Sequence, residues 1–461
     1  MSDFLFNDFE AVSSKQWKQK IQAELRGADY NETLIWKNSE GIDVKPFYHP
    51  DEFAERFSAV PGQPDNWSVC QKVFIDDVSI ARKLAKDALN RGAEAIWFVA
   101  EKKFSAATLF QDIPVTDIVF YIELNFLDKA FITEVNNFSK ENKVHTFILT
   151  DAVGRLAREG NWHQNLTADF EVYKQLTTEE NSKFLSVDLS LYQNGGATII
   201  QQLAYGLAHV NEYLNSLFTD KSTVKTFKEQ WQPVFKVSVG SNYFFEIAKL
   251  RALRKLYATL ASAYELNENC KILAFPSKRN KTIYDYNVNM LRTTTECMSA
   301  ALGSADVVCN TPYDALYHKS NEFGERISRN QLLVLKNESY FDRVANPADG
   351  AYYIESITLQ LAEKALQLFK EIEASGGFLK QLKEGTIQKK IKESAAKEQE
   401  QFDKGQKVLL GTNKHPNKND RMKDELELFP FVKTNPRKTL IEPIIERRLA
   451  EKTEQERLKN D

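Results

Sequence analysis

The sequence has no run of about 18 consecutive apolar residues, so it offers no ordinary membrane-spanning helix. Its start, Met1-Ser2-Asp3-Phe4, lacks the basic residues and apolar stretch of a secretory signal, and a cytoplasmic location is expected. Basic excess is also missing. Sixty-one Lys and Arg face 64 Asp and Glu for a net charge of -3, which argues against a polyphosphate partner such as nucleic acid. The four cysteines, Cys70, Cys270, Cys297 and Cys309, form no C-x-x-C pair, which argues against a zinc knot or a disulfide framework and for ordinary reduced thiols. The six histidines, His49, His145, His163, His209, His318 and His415, form no metal box of the H-E-x-x-H kind. No nucleophile elbow, Walker loop or G-x-G-x-x-G fingerprint occurs, and there is no internal repeat or low-complexity linker.

What is present is enough apolar side chain, 42% of 461 residues, for a barrel-sized core with appendages. Strand-like runs recur from residue 70 onward: Lys72–Ile75, Ala95–Val99, Ile118–Ile122, Val144–Leu149, Phe184–Asp188, Val234–Val239, Lys271–Phe275 and Asp306–Cys309. Several are continuous apolar runs, as in a parallel sheet covered on both faces, and helical patterns separate most of them. Ile80, Leu84, Ala88 and Leu89 make one helical stripe, Leu203, Leu207, Val210 and Leu214 a second, and Phe244, Ile247, Ala248, Leu253 and Leu256 a third. The span of about 270 residues suits an eightfold β/α (TIM) barrel. Periodicity alone also permits an open doubly wound sheet.

The expected domains are an N-terminal docking arm over 1–40, the β/α barrel over 41–340, and a C-terminal helical extension with a charged tail over 341–461. In the arm, Ser13 or Ser14 can cap a short helix through Gly27 whose apolar line is only Trp17, Ile21 and Leu25, preceded by Phe4, Phe6 and Phe9. Such a segment needs a barrel or another chain to dock on. Helices are expected over Ile354–Ala374 and Leu379–Lys404, and the charged stretch from Pro443 reads as a solvated tail. Two features could hold an anion. Gln193-Asn194-Gly195-Gly196-Ala197-Thr198 opens a helix after the fifth strand run, either as a tight turn or as a set of N–H donors. Arg326, Arg329 and Arg343 either meet an acidic ligand or form a solvated or salt-bridged face.

Longer motifs carry a resemblance. Glu322-Phe323-Gly324-Glu325-Arg326-Ile327-Ser328-Arg329-Asn330, Asn337-Glu338-Ser339 and the stretch from Arg343 to Ser356 resemble the methylmalonyl-CoA mutase family of adenosylcobalamin-dependent isomerases. So do Phe244-Phe245-Glu246-Ile247-Ala248-Lys249-Leu250-Arg251, Gly196-Ala197-Thr198, Leu25–Tyr30 and Gly41–Tyr48, so the similarity runs from about residue 10 to 415. It implies an eightfold barrel whose channel, in catalytic members, admits the pantetheine arm of coenzyme A.

The resemblance also implies what should be here and is not. The cobalamin-binding D-x-H-x-x-G motif is absent, and the residues after Lys414 are too few and too charged for that α/β domain; His415, followed by Pro416, does not restore it. Pro61–Trp67 replaces the family's R-G-x-Y-x-x-M-Y run and its substrate-facing Tyr. Leu191 stands, in a gapless comparison, where the family has a His that donates to the thioester carbonyl; leucine cannot do so. Ser277–Ile283 replaces R-T-H-S-Q-T-S-G, and Ala315 stands for the Glu that holds the adenosyl ribose. This pattern is similar to the small, or beta, subunit of heterodimeric members. It implies a chain with no catalytic, cofactor-binding or metal site of its own, inactive alone, whose partner is the large catalytic subunit that binds adenosylcobalamin. The other reading is an active acyl-CoA mutase barrel that uses a separate cobalamin-binding subunit. On the small-subunit reading, the channel should be narrowed or plugged near Leu191, Tyr192 and Tyr243.

Overall fold

The structure, a computed structural model, describes residues 9–53, 57–177, 183–218, 225–433 and 436–461. Two short strands, β1 (Trp36–Lys37) and β2 (Asp43–Val44), pair antiparallel ahead of the main sheet. Eight parallel strands follow: β3 (Ser68–Phe74), β4 (Ala95–Ala100), β5 (Val119–Leu124), β6 (His145–Leu149), β7 (Ser186–Asp188), β8 (Val234–Val239), β9 (Lys271–Pro276) and β10 (Val307–Cys309). They lie in the order β6-β5-β4-β3-β10-β9-β8-β7. The end strands approach through a parallel bridge between Thr150 and Leu185, and Ile148 N–H donates to the Lys183 carbonyl at 2.8 Å. The sheet thereby closes, but for a short ladder, into the expected eightfold barrel. Continuous apolar runs such as Ala95–Ala100, buried at every residue, fit strands with helices outside and side chains within.

Register sets which residues face the barrel axis. Lys72, Trp97, Tyr121 and Phe147 are partners across β3, β4, β5 and β6, one row of inward-facing side chains. Phe74, Val99, Glu123 and Leu149 form the next row toward the strand C-terminal ends. Opposite them, Asp188, Lys236 and Leu273 are partners across β7, β8 and β9.

The helix Val78–Asn90 departs from the sequence reading. Ala81, Ala85 and Ala88 are its buried residues, whereas Ile80 and Leu84 are more than half exposed or close to it, at 58% and 50%. Small alanines let this helix lie close to the sheet, which turns the larger groups outward. The other two stripes are buried as the periodicity requires, except Phe244 at the exposed start of its helix.

The N-terminal helix, Ser14–Glu24, begins with a capping box between Ser13 and Gln16 and buries none of its residues. Phe9 and Trp17 are exposed; Trp17 meets Phe47 edge-on at 6.3 Å. Phe4 and Phe6 lie outside the described residues. After the barrel, helices Tyr352–Ala374, Phe378–Lys383 and Thr386–Asp403 follow; the break between the first two falls at Gly376-Gly377, both at positive φ.

The charged stretch from Pro443 is not a solvated tail; it packs into the fold together with the residues just before it. Ile441, Ile444, Arg448, Leu449, Ala450, Glu451 and Glu454 are buried. Its charges are matched inside the fold: Arg448 pairs with Glu454 at 2.6 Å, and Glu454 accepts from the Ile283 N–H at 2.9 Å. A charged sequence can be buried when its charges partner one another, which composition does not reveal.

Candidate functional site

A cavity of about 620 Å³ opens at the strand C-terminal end of the barrel, the face on which such barrels place their sites. Its floor is built by the inward rows. Below it, Trp97, Tyr121, Phe147 and Leu273 are almost fully buried and pack with Cys70 and Cys309 into one cluster that fills the barrel axis. Tyr121 and Phe147 stack with ring centroids 5.4 Å apart, and Trp97 lies 5.2 Å from Phe275.

Charges sit on this aromatic layer. Lys236 donates to Glu123 Oε1 at 2.6 Å and to Asp188 Oδ2 at 3.0 Å; Arg158 reaches the same Asp188 oxygen at 2.9 Å. Asp188 Oδ1 accepts from the Ser190 N–H at 3.0 Å and from its hydroxyl at 2.5 Å, and Glu123 Oε2 accepts from Trp97 Nε1 at 2.9 Å. Burial alone would raise the Asp188 carboxyl, but Lys236 and Arg158 overcome it and hold Asp188 well below the usual carboxylate range. For Glu123 burial is likewise outweighed by Lys236 and Lys72, and Lys236 is raised despite its burial by Asp188 and Glu123.

The cavity has a roof. Glu427 and Leu428 N–H groups both donate to the Tyr317 carbonyl at 2.8 Å, in the loop after β10. Further along, Leu440 and Ile441 donate to the Gly160 carbonyl at 2.9 and 3.2 Å, and Asn194 donates to Glu446 at 2.8 Å. Arg447 N–H donates to Asn194 O at 3.1 Å, while Arg279 takes up Arg447 O at 2.8 Å and accepts from Leu449 N–H at 2.9 Å. This strap ties loops after β7, β9 and β10 together, and its Leu428 and Glu446 line the cavity. Gly160 is at φ +75°, and a Cβ there would meet Ile441 O at 2.7 Å.

The sequence candidates fall in several places. Leu191 and Tyr192 are buried between the barrel and its outer helices, Tyr192 against His209 and Phe378, and neither they nor Tyr243 line the cavity. The axis is therefore filled by Trp97, Tyr121 and Phe147 rather than by the three residues expected. The same helix sends Ser190 and Asn194 to the cavity instead, because a helical turn spreads successive side chains around its axis. Ala315 does line it.

The Gly195-Gly196 turn is both things the sequence allowed. Gly196 is left-handed at φ +99°, and the N-terminus of the helix Ile199–Phe218 does bind an anion, but that anion is Glu40 of this chain. Its carboxylate accepts from Ile199 and Ile200 N–H groups, both at 3.0 Å. Replacing Glu40 with alanine is expected to lower stability by about 1–2 kcal/mol, the value of such a cap, read by urea unfolding; an unchanged midpoint would show that the cap contributes nothing.

Arg326, Arg329 and Arg343 do not converge. Arg329 is buried and donates to Gln71 at 3.0 Å, Arg343 is exposed beside Asp342, and Arg326 lies over Phe323. His163 and His318 line the cavity, His318 with Asp314 at 3.1 Å; His209 is buried between Tyr192 and Asp151; His145 lies at the opposite end of the barrel with Lys183, where burial and Lys183 press it down to about 4. His49 accepts from the Asp51 N–H, and His415 adopts a positive φ. Among the described residues no group of His, Cys, Asp and Glu could hold a metal ion, and all four cysteines are buried and free.

The long sequence signatures are scaffold. Arg251 pairs with Glu355 at 2.6 Å and with Asp349, joining the Phe244–Arg251 motif to the stretch from Arg343 to Ser356. Lys249 of the same motif donates to Gln193, shortly before Gly196-Ala197-Thr198, at 3.1 Å and to Ser238 O at 2.7 Å.

Comparison with known proteins gives the same direction. The family model described as methylmalonyl-CoA mutase matches residues 103–459. The small subunit of methylmalonyl-CoA mutase from Porphyromonas gingivalis is 34% identical over 92% of this chain and 73% of its own length. Methylmalonyl-CoA mutases from Cereibacter sphaeroides and Rhizobium meliloti are each 28% identical, over 87% and 90% of this chain; this chain spans 64% and 65% of their lengths.

Proposed function

Since the chain belongs to the methylmalonyl-CoA mutase family, we propose that it is the noncatalytic small subunit of a heterodimeric, adenosylcobalamin-dependent mutase. Its partner is then the large subunit that interconverts (R)-methylmalonyl-CoA and succinyl-CoA. The observation that carries this reading is the filled axis: Trp97, Tyr121, Phe147 and Leu273 occupy the path a pantetheine arm would take.

The family is adenosylcobalamin-dependent, and a member that held this group would hold it at the barrel mouth. The residues there do not suit it. Loops after β7, β9 and β10 are hydrogen-bonded to the strap, and Leu428 and Glu446 of the strap line the opening.

The role left to this chain is interface. The exposed Phe9, and the exposed Trp17 on a helix with no buried residue, fit a segment that docks on another protein, and no helix among the described residues is long and apolar enough to cross a membrane. Turnover is the test. With adenosylcobalamin and methylmalonyl-CoA, the purified chain alone should show none, and activity should appear when the large chain is added. Turnover by this chain alone, or micromolar coenzyme A binding to it by calorimetry, would overturn the reading in favour of an active barrel that takes its cobalamin from a separate subunit.

A further inference from the structure

The floor of the barrel mouth has a cation left over. Asp188 and Glu123 are the carboxylates of the floor, and both are saturated by Lys236, Arg158, Ser190 and Trp97. Lys72, one row partner away on β3, has neither a hydrogen bond nor an ion pair among the described residues; its ammonium lies 4.2 Å from the Trp97 ring and 4.9 Å from that of Phe74. Lys278, also lining the cavity, adds a second ammonium without such a partner. Glu123 acts on this ammonium only through space and is itself bonded to Lys236 and Trp97, so a partly buried cation is left without a direct partner, and the ring face offsets only part of the loss of water.

The walls around Lys72 are apolar: Phe74, Val99, Leu149 and Phe275, with Leu428 above. The cavity is also lined by Glu101, Asp151, Glu159, Asp314, Glu325 and Glu446, and this negative charge weighs most heavily against polyphosphates, which carry several charges of the same sign. The filled axis makes the space a closed-bottomed cup, and about 620 Å³ is in the range of small-molecule sites.

We propose that the barrel mouth is a binding site for a small free organic acid, its carboxylate on Lys72 with Lys278 alongside and its apolar body against Phe275 and Leu149. Burial, together with the charges of Lys236 and Lys278 and against the pull of Glu123, lowers the Lys72 pKa, so an arriving carboxylate gains from restoring its charge partner. The site is independent of mutase chemistry. It gives this chain a ligand of its own.

The experiment uses the full chain with butyrate and glutarate as probes and inorganic phosphate as the contrast, by calorimetry. Saturable one-to-one binding of an organic acid is expected, weakened about tenfold or more by Lys72→Met, the loss of one charge-assisted contact. Methionine keeps the length and removes the charge, so the variant should fold. Should it not, trinitrobenzenesulfonate labelling of the unaltered chain, mapped by mass spectrometry, gives the second readout: the organic acid should slow labelling of Lys72 and phosphate should not. Absence of saturable binding, equal affinity in Lys72→Met, labelling of Lys72 unaffected by acid, or phosphate binding as tightly as the acids would overturn the proposal. None of these outcomes bears on whether activity requires a large subunit.

Discussion

Replacing Asp188 with alanine should destabilise the chain by about 3–5 kcal/mol, the range for removing one member of a buried ion pair. The loss leaves Lys236 and Arg158 without their shared acceptor and strands the Ser190 hydroxyl and N–H. Arg158 cannot shed its charge, so it must drag water into the mouth or move. Urea unfolding monitored by tryptophan fluorescence measures the difference, and a cost under about 1 kcal/mol would mean that the network is no better than a surface pair. The effect should also depend on pH in one direction. Because the folded carboxyl titrates below its unfolded value, its stabilisation is complete above the ordinary Asp value of about 3.9 and is lost as pH falls toward the folded one. The gap between the two proteins should thus hold steady from about pH 5 to about pH 8 and shrink below about pH 4.

Deletion of residues 1–27 should abolish co-purification with the large chain while leaving the melting temperature nearly unchanged. The helix Ser14–Glu24 buries nothing, and its ties to the barrel are slight: Ser14 N–H to Asp51 at 2.8 Å and the Trp17–Phe47 contact. Burying a large apolar side chain is worth about 1.5–3 kcal/mol, so Phe9, Trp17 and their neighbours can contribute much of a docking energy when a partner covers them. This expectation rests on the small-subunit reading. Retained co-purification with a lower melting temperature would instead show that the arm serves its own barrel.

The barrel was legible in the sequence because each strand is an apolar run of the right length between helical stretches, and all eight runs became strands. The mouth was not. Lys72, Glu123, Asp188 and Lys236 come from four strands, and only barrel closure brings them together; in a strand buried on both faces, apolar runs do not say which face is inward. A signal did exist, since Lys72 and Lys236 each interrupt an apolar run, but it names no partner. Leu191 misled for a related reason. Sequence comparison places a residue along the chain, while its direction depends on the turn of helix that carries it, and here Ser190 and Asn194 have the inward directions. The burial of Arg448, Glu451 and Glu454 was hidden because charge count does not record pairing.

The strap has a consequence for how the molecule comes into being. It follows every barrel strand in the chain, and its anchors join residues far apart in order, 252 positions between Asn194 and Glu446. Such contacts repay their loop-closure entropy only after the intervening chain is in place. During synthesis the eight strands emerge first and can close around Trp97, Tyr121 and Phe147 while the mouth stands open, with the strap laid across it last. For that interval the charged floor is more open to water and to other molecules than in the finished protein, where Leu428 and Glu446 of the strap line the mouth, so the roof acts as a late rim on an already folded barrel.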